Sequence, residues 1–462
     1  MGERLRDACG TLRKRPVRVV LVSTYELGRQ PFGLASPAAW LRAAGAEVTC
    51  MDLAREPLNE GALEAAGAVA FYLPMHTATR LAIPVIQKAR ELNPGAHLCA
   101  YGLYAAPNAE YLRALGVRTV LGGEFEEGLL TLLRPGAAPL VSLARQQFLT
   151  PDRAGLPPLT QYAQLVLPGG ERRTVGYTEA SRGCKHLCRH CPVVPVYQGQ
   201  FRIVRREVVM EDIRRQVAAG AQHITFGDPD FFNGIGHATA LVCQLHREFP
   251  GVTYDATIKI EHLLRHREHL PVLRKTGCAF VVSAVESLDD EVLGRIFDKG
   301  HTRADFVAAV RLFREEGMAL APTFIPFHPW MTLEGYGDLL ATLAELDLVE
   351  HISPVQLTIR LLIPAGSRLL DLPEARARFE QFDEAALSFR WAHADPRVDA
   401  LQRGLEAMVS RAMTAKTDRY TIFERVWEMT HAALETRAPR LPGRLPGRAR
   451  VTIPYLTEPW YC

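Results

Sequence analysis

Short apolar runs rich in β-branched residues alternate with helical segments along most of this chain, and they do so in two separate series. The first series occupies residues 17–130, and the second begins near Thr174. Strands separated by helices of this length are typical of βαβ units, in which consecutive strands pair in parallel. The sequence therefore predicts an α/β protein built from two parallel βα series.

The first series predicts a doubly wound, Rossmann-like domain over residues 1–134. Its expected strands are residues 17–23, 47–52, 68–73, 97–101 and 117–121. A ligand of such a sheet lies at the carboxyl ends of the strands. The loops after these runs are therefore candidate binding loops, and one of them contains the turn Gly122, Gly123 and Glu124.

Residues 135–173 interrupt the alternation, because Pro and Leu follow one another there without a helical period, and this predicts a linker. The second series, over residues 174–374, predicts a partial, TIM-like (β/α)6 barrel with its functional residues at the strand carboxyl ends. Its six expected strands are residues 174–178, 223–226, 253–257, 280–285, 319–325 and 355–361. Residues 375–462 are expected to form a helical C-terminal extension and tail.

Composition excludes several classes of protein. No run approaches the roughly 20 apolar residues that cross a bilayer, and the charged N-terminus lacks the apolar core of a secretory signal. We therefore expect a cytoplasmic protein with no membrane partner. A net charge of +3 is too weak to indicate nucleic acid as a partner. A small-molecule substrate remains by elimination.

Three of the nine cysteines form one tight group, Cys184, Cys188 and Cys191, whereas the other six are scattered singly. In a reducing compartment such a group indicates a metal site and not a disulfide framework. Thiolates are the usual ligands of iron–sulfur clusters, and the absence of a fourth cysteine nearby would leave one iron open to an outside ligand. The alternative is a zinc site that adds His186 or His190, although structural zinc sites usually draw ligands from two separate knuckles.

A Cys-x3-Cys-x2-Cys loop after the first strand of a βα barrel resembles the radical S-adenosylmethionine (SAM) superfamily, although the position before the third cysteine, often aromatic there, is His190. The resemblance implies that Cys184, Cys188 and Cys191 bind three irons of a [4Fe–4S] cluster and that SAM chelates the fourth. One electron, from a donor such as flavodoxin or ferredoxin, would then cleave SAM to a 5′-deoxyadenosyl radical.

The resemblance extends to later strand ends. Asp228 and Asp230 match a Gly/acidic motif that accepts from the SAM amine, with a turn or helix N-cap as the alternative. Ser283 and Glu286 match a position that contacts the ribose hydroxyls, for which a carboxylate is a suitable acceptor. Arg360 could pair with a carboxylate of SAM or of substrate, or form a salt bridge within the barrel.

A doubly wound domain ahead of this barrel resembles the cobalamin-binding radical SAM subclass, in which Gly122, Gly123 and Glu124 would form a cobalamin loop. The Asp-x-His-x-x-Gly motif of some cobalamin proteins is absent from residues 23–34. The resemblance implies transfer of a methyl group to an unactivated carbon of a small molecule. The alternatives are a domain that binds nothing, radical SAM chemistry without cobalamin (rearrangement or transfer of another SAM fragment), and a non-catalytic iron–sulfur or zinc protein.

The chain ends in an aromatic, Pro-containing run that closes with Cys462. This end is similar to the start of the tail in a small branch of the same subclass, which carries Cys-Cys or Cys-selenocysteine followed by Ala-Glu-Pro. We expect, on this resemblance, a chain truncated at a UGA codon. An incidental terminal thiol is the alternative.

Overall fold

The computed structural model describes residues 16–134, 136–441 and 454–457, so that the tail hypothesis for Cys462 lies outside the described residues. The chain divides into two compact units. Of the described residues, unit 1 comprises those up to Glu26 together with those of Gln30–Pro157, and unit 2 comprises Leu27–Arg29 and those from Pro158 onward. No helix in the described ranges combines the length and the apolar character that a bilayer span requires.

Unit 1 is a parallel sheet flanked by helices. Its described strands are β1 (Arg18–Ser23), β2 (Glu47–Asp52), β3 (Ala68–Tyr72), β4 (His97–Tyr101), β5 (Thr119–Gly123) and β6 (Val141–Ser142). Its helices are α1 (Phe32–Ala43), α2 (Glu60–Glu64), α3 (His76–Leu92), α4 (Ala109–Ala114) and α5 (Glu126–Leu129). The strand order is β2-β1-β3-β4-β5-β6 with every pairing parallel, so the order reverses at the β1–β3 pair.

Both faces of this sheet are buried, as parallel sheets require. Val20 and Val22 belong to one apolar layer, together with Ile86 of α3. Val19 and Leu21 point to the opposite layer. The alternation along one strand therefore builds two cores, and the predicted doubly wound fold is confirmed.

Unit 2 contains a curled sheet, a hairpin and a mainly helical extension. Its described strands are β7 (Gln164–Val166), β8 (Arg172–Thr178), β9 (Ser181–Gly183), β10 (Phe201–Ile203), β11 (His223–Phe226), β12 (Thr253–Thr257), β13 (Cys278–Glu286), β14 (Leu320–Phe324), β15 (Phe382–Asp383), β16 (Ser388–Phe389) and β17 (Tyr455–Leu456). Its helices are α6 (Val194–Tyr197), α7 (Arg206–Ala218), α8 (Ile235–Glu248), α9 (Ile260–Arg265), α10 (Leu270–Lys275), α11 (Arg303–Glu315), α12 (Leu333–Glu345), α13 (Pro373–Arg376), α14 (Pro396–Thr414) and α15 (Arg419–Ala433).

The predicted half barrel is confirmed by the parallel strands β8, β11, β12, β13 and β14, which are neighbours in that order. The prediction of a sixth strand over residues 355–361 is wrong, because the structure has no strand in this described segment. Residues Pro354–Leu357 form a 3₁₀ turn, and only Arg360 bridges to Phe327. Pro354 at the start of this turn fixes φ and lacks the N–H that a strand would use.

The sheet of unit 2 continues beyond β8 with two antiparallel strands, β7 and β17. In this edge pair Tyr455 lies opposite Val166, and the Thr457 N–H donates to the Gln164 carbonyl at 2.9 Å. The guanidinium of Arg419 lies 5.0 Å from the centre of the Tyr455 ring. A short segment near the end of the chain thus covers the edge of β7.

Candidate functional site

The cysteine loop starts directly after the short strand β9. Gly183, with φ of +72°, ends this strand, and a Cβ there would lie 2.4 Å from the Gln200 carbonyl oxygen. Glycine is therefore required for the β9–β10 hairpin to close and for the chain to enter the loop. Within the loop Cys188 is only 6% exposed, whereas its neighbour Leu187 is 44% exposed.

The three thiols of this loop lie close enough to affect one another. Burial, with smaller contributions from the Cys188 and Cys184 thiols, raises the pKa of Cys191 to about 12. Burial also raises the pKa of Cys184, and Cys188 adds to that effect. Without a metal these thiols keep their protons, and a bound metal cation displaces them, because the thiolate is the ligand. The donor set therefore fits a cationic iron centre.

Asp228, which follows β11, forms hydrogen bonds with the residues just before the cysteine loop. This carboxylate accepts from the Ser181 hydroxyl at 2.5 Å and from the Ala180 N–H at 3.0 Å. Burial raises the pKa of Asp228 to about 7. Asp228 thereby connects strand β11 to the residues that precede Cys184.

Asp230, two residues later, joins a histidine pair to the loop. Its Oδ2 lies 2.6 Å from Nδ1 of His262 and 3.5 Å from Nε2 of His186, and the two Nε2 atoms are 3.3 Å apart. Burial opposes ionisation of Asp230, but hydrogen bonds from the two imidazoles lower its pKa below the usual range. Ligand atoms of Cys184, His186 and Asp230 lie within 4.8 Å of one another, a group that includes one of the three loop cysteines and so differs from the Cys3His zinc alternative.

The carboxyl end of β12 contributes Lys259, which sequence reasoning missed. Its Nζ lies 3.9 Å from Cys188 Sγ and 3.4 Å from Glu261 Oε2. Lys259 and His262 both follow the third parallel strand. Because functional residues of βα barrels lie at the carboxyl ends of the strands, this position in the sequence could have identified both residues as candidates.

The carboxyl end of β13 presents Glu286 in a strained conformation. Its φ is +71°, in the left-handed region that non-glycine residues seldom adopt, and the register with β14 shifts at this point. Its Oε1 lies 3.2 Å from Nε2 of His190 and 3.3 Å from Nζ of Lys299. Burial opposes ionisation, but Lys299 and the His190 hydrogen bond lower the pKa of Glu286 to about 2. A π-helical turn, Val292–Ile296, follows this strand and is of a kind often found at functional sites.

Two other residues predicted for SAM have their polar groups engaged within the protein. The Ser283 hydroxyl donates to the Ile258 carbonyl at 2.7 Å. Arg360 donates to Asp399 and to the Trp391 carbonyl, both at 2.6 Å, and stacks 3.4 Å from the Trp391 ring centre. The geometry of Arg360 favours the structural ion pair.

In unit 1 the predicted loop residues lie at the end of β5. A Cβ on Gly123 would lie 2.2 Å from the Ser142 carbonyl oxygen, and one on Gly122 would lie 2.7 Å from the Ala106 Cβ. Glu124 is only 1% exposed. Packing against β6 therefore accounts for Gly123 and packing against Ala106 for Gly122, and the assignment of these residues to a cobalamin loop stays a prediction.

Three strand ends of unit 2 converge on the cysteine loop. Asp230 after β11 contacts His186, and Lys259 after β12 contacts Cys188. Glu286 at the end of β13 contacts His190. The arrangement brings acidic, lysine and imidazole side chains to the loop that carries the three cysteines, which suits a metal centre with an adjoining polar ligand.

Comparison with known proteins agrees with this geometry. The family model of the radical SAM superfamily matches residues 178–343. The chain is 28% identical over 152 residues to a hopanoid C-3 methylase of Methylococcus capsulatus, a match that covers 33% of this chain and 29% of that protein. The chain thus spans less than a third of the length of that relative.

Two solved structures share the fold. TsrM of Kitasatospora setae, a radical SAM methyltransferase solved with its tryptophan substrate and a SAM analogue, aligns with a TM-score of 0.58 at 17% identity over 78% of this chain and 76% of its own. OxsB, a cobalamin-dependent radical SAM enzyme solved with aqua-cobalamin, aligns with a TM-score of 0.63 at 14% identity over 86% of this chain and 67% of its own. Residues 178–343 of this chain are thus a radical SAM domain, and the chain has the fold of the cobalamin-dependent members of that superfamily.

Proposed function

We propose that this chain cleaves SAM reductively and that Cys184, Cys188 and Cys191 bind three irons of a [4Fe–4S] cluster. The observation that carries the proposal is the convergence of the β11, β12 and β13 ends on the loop of these cysteines. When bound, the cluster supplies the electron that splits SAM into methionine and a 5′-deoxyadenosyl radical. A flavodoxin or ferredoxin in the cytoplasm would deliver that electron.

The chain's own residues then have separate tasks. Glu286, ionised beside Lys299 and His190, is the acceptor for the ribose hydroxyls of SAM. Asp228 and Asp230, which the family resemblance pairs with the SAM amine, hold the cysteine loop through Ser181 and His186. In this proposal Ser283 and Arg360 stabilise the barrel and its extension, because their donors serve Ile258 and Asp399.

We further propose a cobalamin-dependent methyltransferase that acts on an unactivated carbon of a small molecule. The support is the fold shared with TsrM and OxsB, the match to a methylase, and the doubly wound sheet of unit 1. In such sheets a ligand binds where the strand order reverses, which here is the β1–β3 pair. Cobalamin bound there would supply the methyl group for transfer.

The first experiment measures iron and SAM cleavage in the full chain after anaerobic reconstitution with iron and sulfide. We expect about four irons per chain and 5′-deoxyadenosine after addition of SAM and a reductant. Cys184→Ala should lower the rate by more than about a hundredfold, since loss of even an outer-shell partner costs on the order of 10–100-fold. Cys243→Ala, which removes a half-buried thiol of α8, is the matched control and should leave the rate unchanged.

Binding of zinc in place of iron, or SAM cleavage that survives Cys184→Ala, would contradict the central proposal. The cobalamin step is tested separately. The reconstituted chain is mixed with hydroxocobalamin and desalted, and the visible spectrum reports the corrin that it retains. A chain that cleaves SAM but retains no corrin would be a radical SAM enzyme without cobalamin, and the methyltransferase proposal would fail.

A further inference from the structure

We propose that Lys259 sets the reduction potential of the cluster through a hydrogen bond to the sulfur of Cys188. This inference rests on the proposed function, because it requires that Cys188 bind iron. Lys259 is a positioning residue in this role, since it contacts a ligand of the cluster and not the reacting atoms.

The side chain of Lys259 is buried beside the cysteine loop and has two polar contacts there. Lys259 precedes α9 directly and is 8% exposed. Its Nζ lies 3.9 Å from Cys188 Sγ, within hydrogen-bond range for sulfur, and 3.4 Å from Glu261 Oε2. A Cβ on Gly300 would lie 2.7 Å from that same oxygen. Gly300 has φ of +75°, a left-handed conformation that favours glycine, and its Cβ position faces the Lys259–Glu261 pair.

A second lysine near the loop provides a comparison. Lys299 is also buried, but its Nζ lies 3.3 Å from Glu286, the proposed acceptor for SAM. Lys299 also interacts electrostatically with Cys188 and Cys191. The lysine within hydrogen-bond range of the Cys188 sulfur is Lys259, so a hydrogen bond to that sulfur is assigned to Lys259.

The sign of the expected effect follows from charge. A cationic donor at a ligand sulfur stabilises the added electron, because hydrogen bonds to sulfur and net charge set the potentials of iron–sulfur clusters. Removal of the Lys259 charge should therefore make the potential more negative. Removal of the Glu261 charge should make it more positive, since the ammonium would then act on the sulfur with its counter-charge gone.

The test is a redox titration of the reconstituted full chain, monitored by electron paramagnetic resonance of the reduced cluster. For Lys259→Met we expect the ratio of reduced to oxidised cluster at a fixed potential to fall about tenfold, equivalent to about 59 mV for one electron. For Glu261→Gln we expect a shift in the opposite direction. Lys275→Met, at an exposed lysine of α10, is the control and should not move the midpoint.

Iron per chain is counted for every variant. Midpoints that stay at the wild-type value in both variants would overturn the role of Lys259. If Lys259→Met does not bind iron, the midpoint potential of Glu261→Gln is the test. A midpoint that is unchanged or more negative than that of the wild type would then overturn the proposal. A wild-type chain without a [4Fe–4S] signal would instead contradict the proposed function, so the two failures can be told apart.

Discussion

Unit 1 and unit 2 both bury acidic side chains at the carboxyl end of parallel strands, but they use them differently. At the end of β5, Glu126 accepts from Ser36 at 2.7 Å, and Gln146 bridges Glu126 and Glu124 at 2.7 and 3.5 Å. Those contacts stay within unit 1. In unit 2 the buried acids and lysines of three strand ends face one short loop of cysteines.

The difference shows which buried charges indicate a ligand. Burial of an ion costs several kcal/mol even after relaxation, and such groups cluster at functional sites. In unit 1 the hydroxyl of Ser36 and the amide of Gln146 donate to the buried acids. In unit 2, charges from β11, β12 and β13 converge on one loop of cysteines, which is the arrangement that a bound cofactor would need. The following variants test this contrast, in order of decreasing effect.

Gly123→Ala should produce the largest loss of stability, and this loss should be confined to unit 1. Left-handed backbone costs about 1–2 kcal/mol for a residue with a Cβ, and overpacking against Ser142 adds about 1–3 kcal/mol. Hydrogen exchange measured by mass spectrometry should show faster exchange in unit 1 peptides, with iron content unchanged. Gly220→Ala is the control, because Gly220 also has positive φ but no atom within 4 Å of its Cβ position. Loss of corrin from Gly123→Ala with normal exchange would instead indicate a direct role in cobalamin binding.

Glu286→Gln should weaken SAM binding on the order of 10- to 100-fold, since a hydrogen bond to a charged group contributes about 1.5–3 kcal/mol. Glu126→Gln, which changes a buried acid of unit 1, should leave SAM affinity as it is. Equilibrium dialysis of the oxidised, cluster-loaded chain with labelled SAM measures both dissociation constants without turnover. If both variants changed the SAM dissociation constant equally, the buried acids of unit 1 and unit 2 would not differ in their relation to SAM.

Asp228→Asn should change the pH dependence of stability. The pKa of Asp228 is about 7 in the folded chain against an ordinary 3.8. Between those values the folded state holds a proton that the unfolded state has lost. The wild-type free energy of unfolding therefore falls as pH rises through that window, by up to about 1.4 kcal/mol per pH unit.

The asparagine side chain resembles the protonated acid, so this variant should lack that slope. Guanidinium unfolding at pH 5, 6, 7 and 8 measures the difference between the two chains. Asp347→Asn, at an exposed position with positive φ, is the control. Parallel pH profiles for wild type and Asp228→Asn would mean that the Asp228 carboxyl is ionised throughout the range.

The sequence was most informative where the signal is local. The alternation of β-branched runs and helices predicted five parallel strands in each sheet, β1 to β5 and β8, β11, β12, β13 and β14, and cysteine spacing predicted the loop. Contacts between distant segments could not be predicted in the same way. Lys259 approaches Cys188 across 71 residues, and Arg360 meets Asp399 across 39. The strand expected over residues 355–361 was wrong because its apolar composition also suits a buried 3₁₀ turn.

The short pairing of Tyr455–Leu456 with β7 has a consequence for solubility. Antiparallel strands at the margin of a sheet offer unpaired N–H and C=O groups to other chains. Here Tyr455–Leu456 and Thr457 form hydrogen bonds with the backbone groups of β7, which begins at Gln164. A chain shortened before Pro454 would present β7 to solvent and so acquire a template for strand addition between molecules. Self-association through this margin, with the cysteine loop still intact, is the defect that such a truncation should cause.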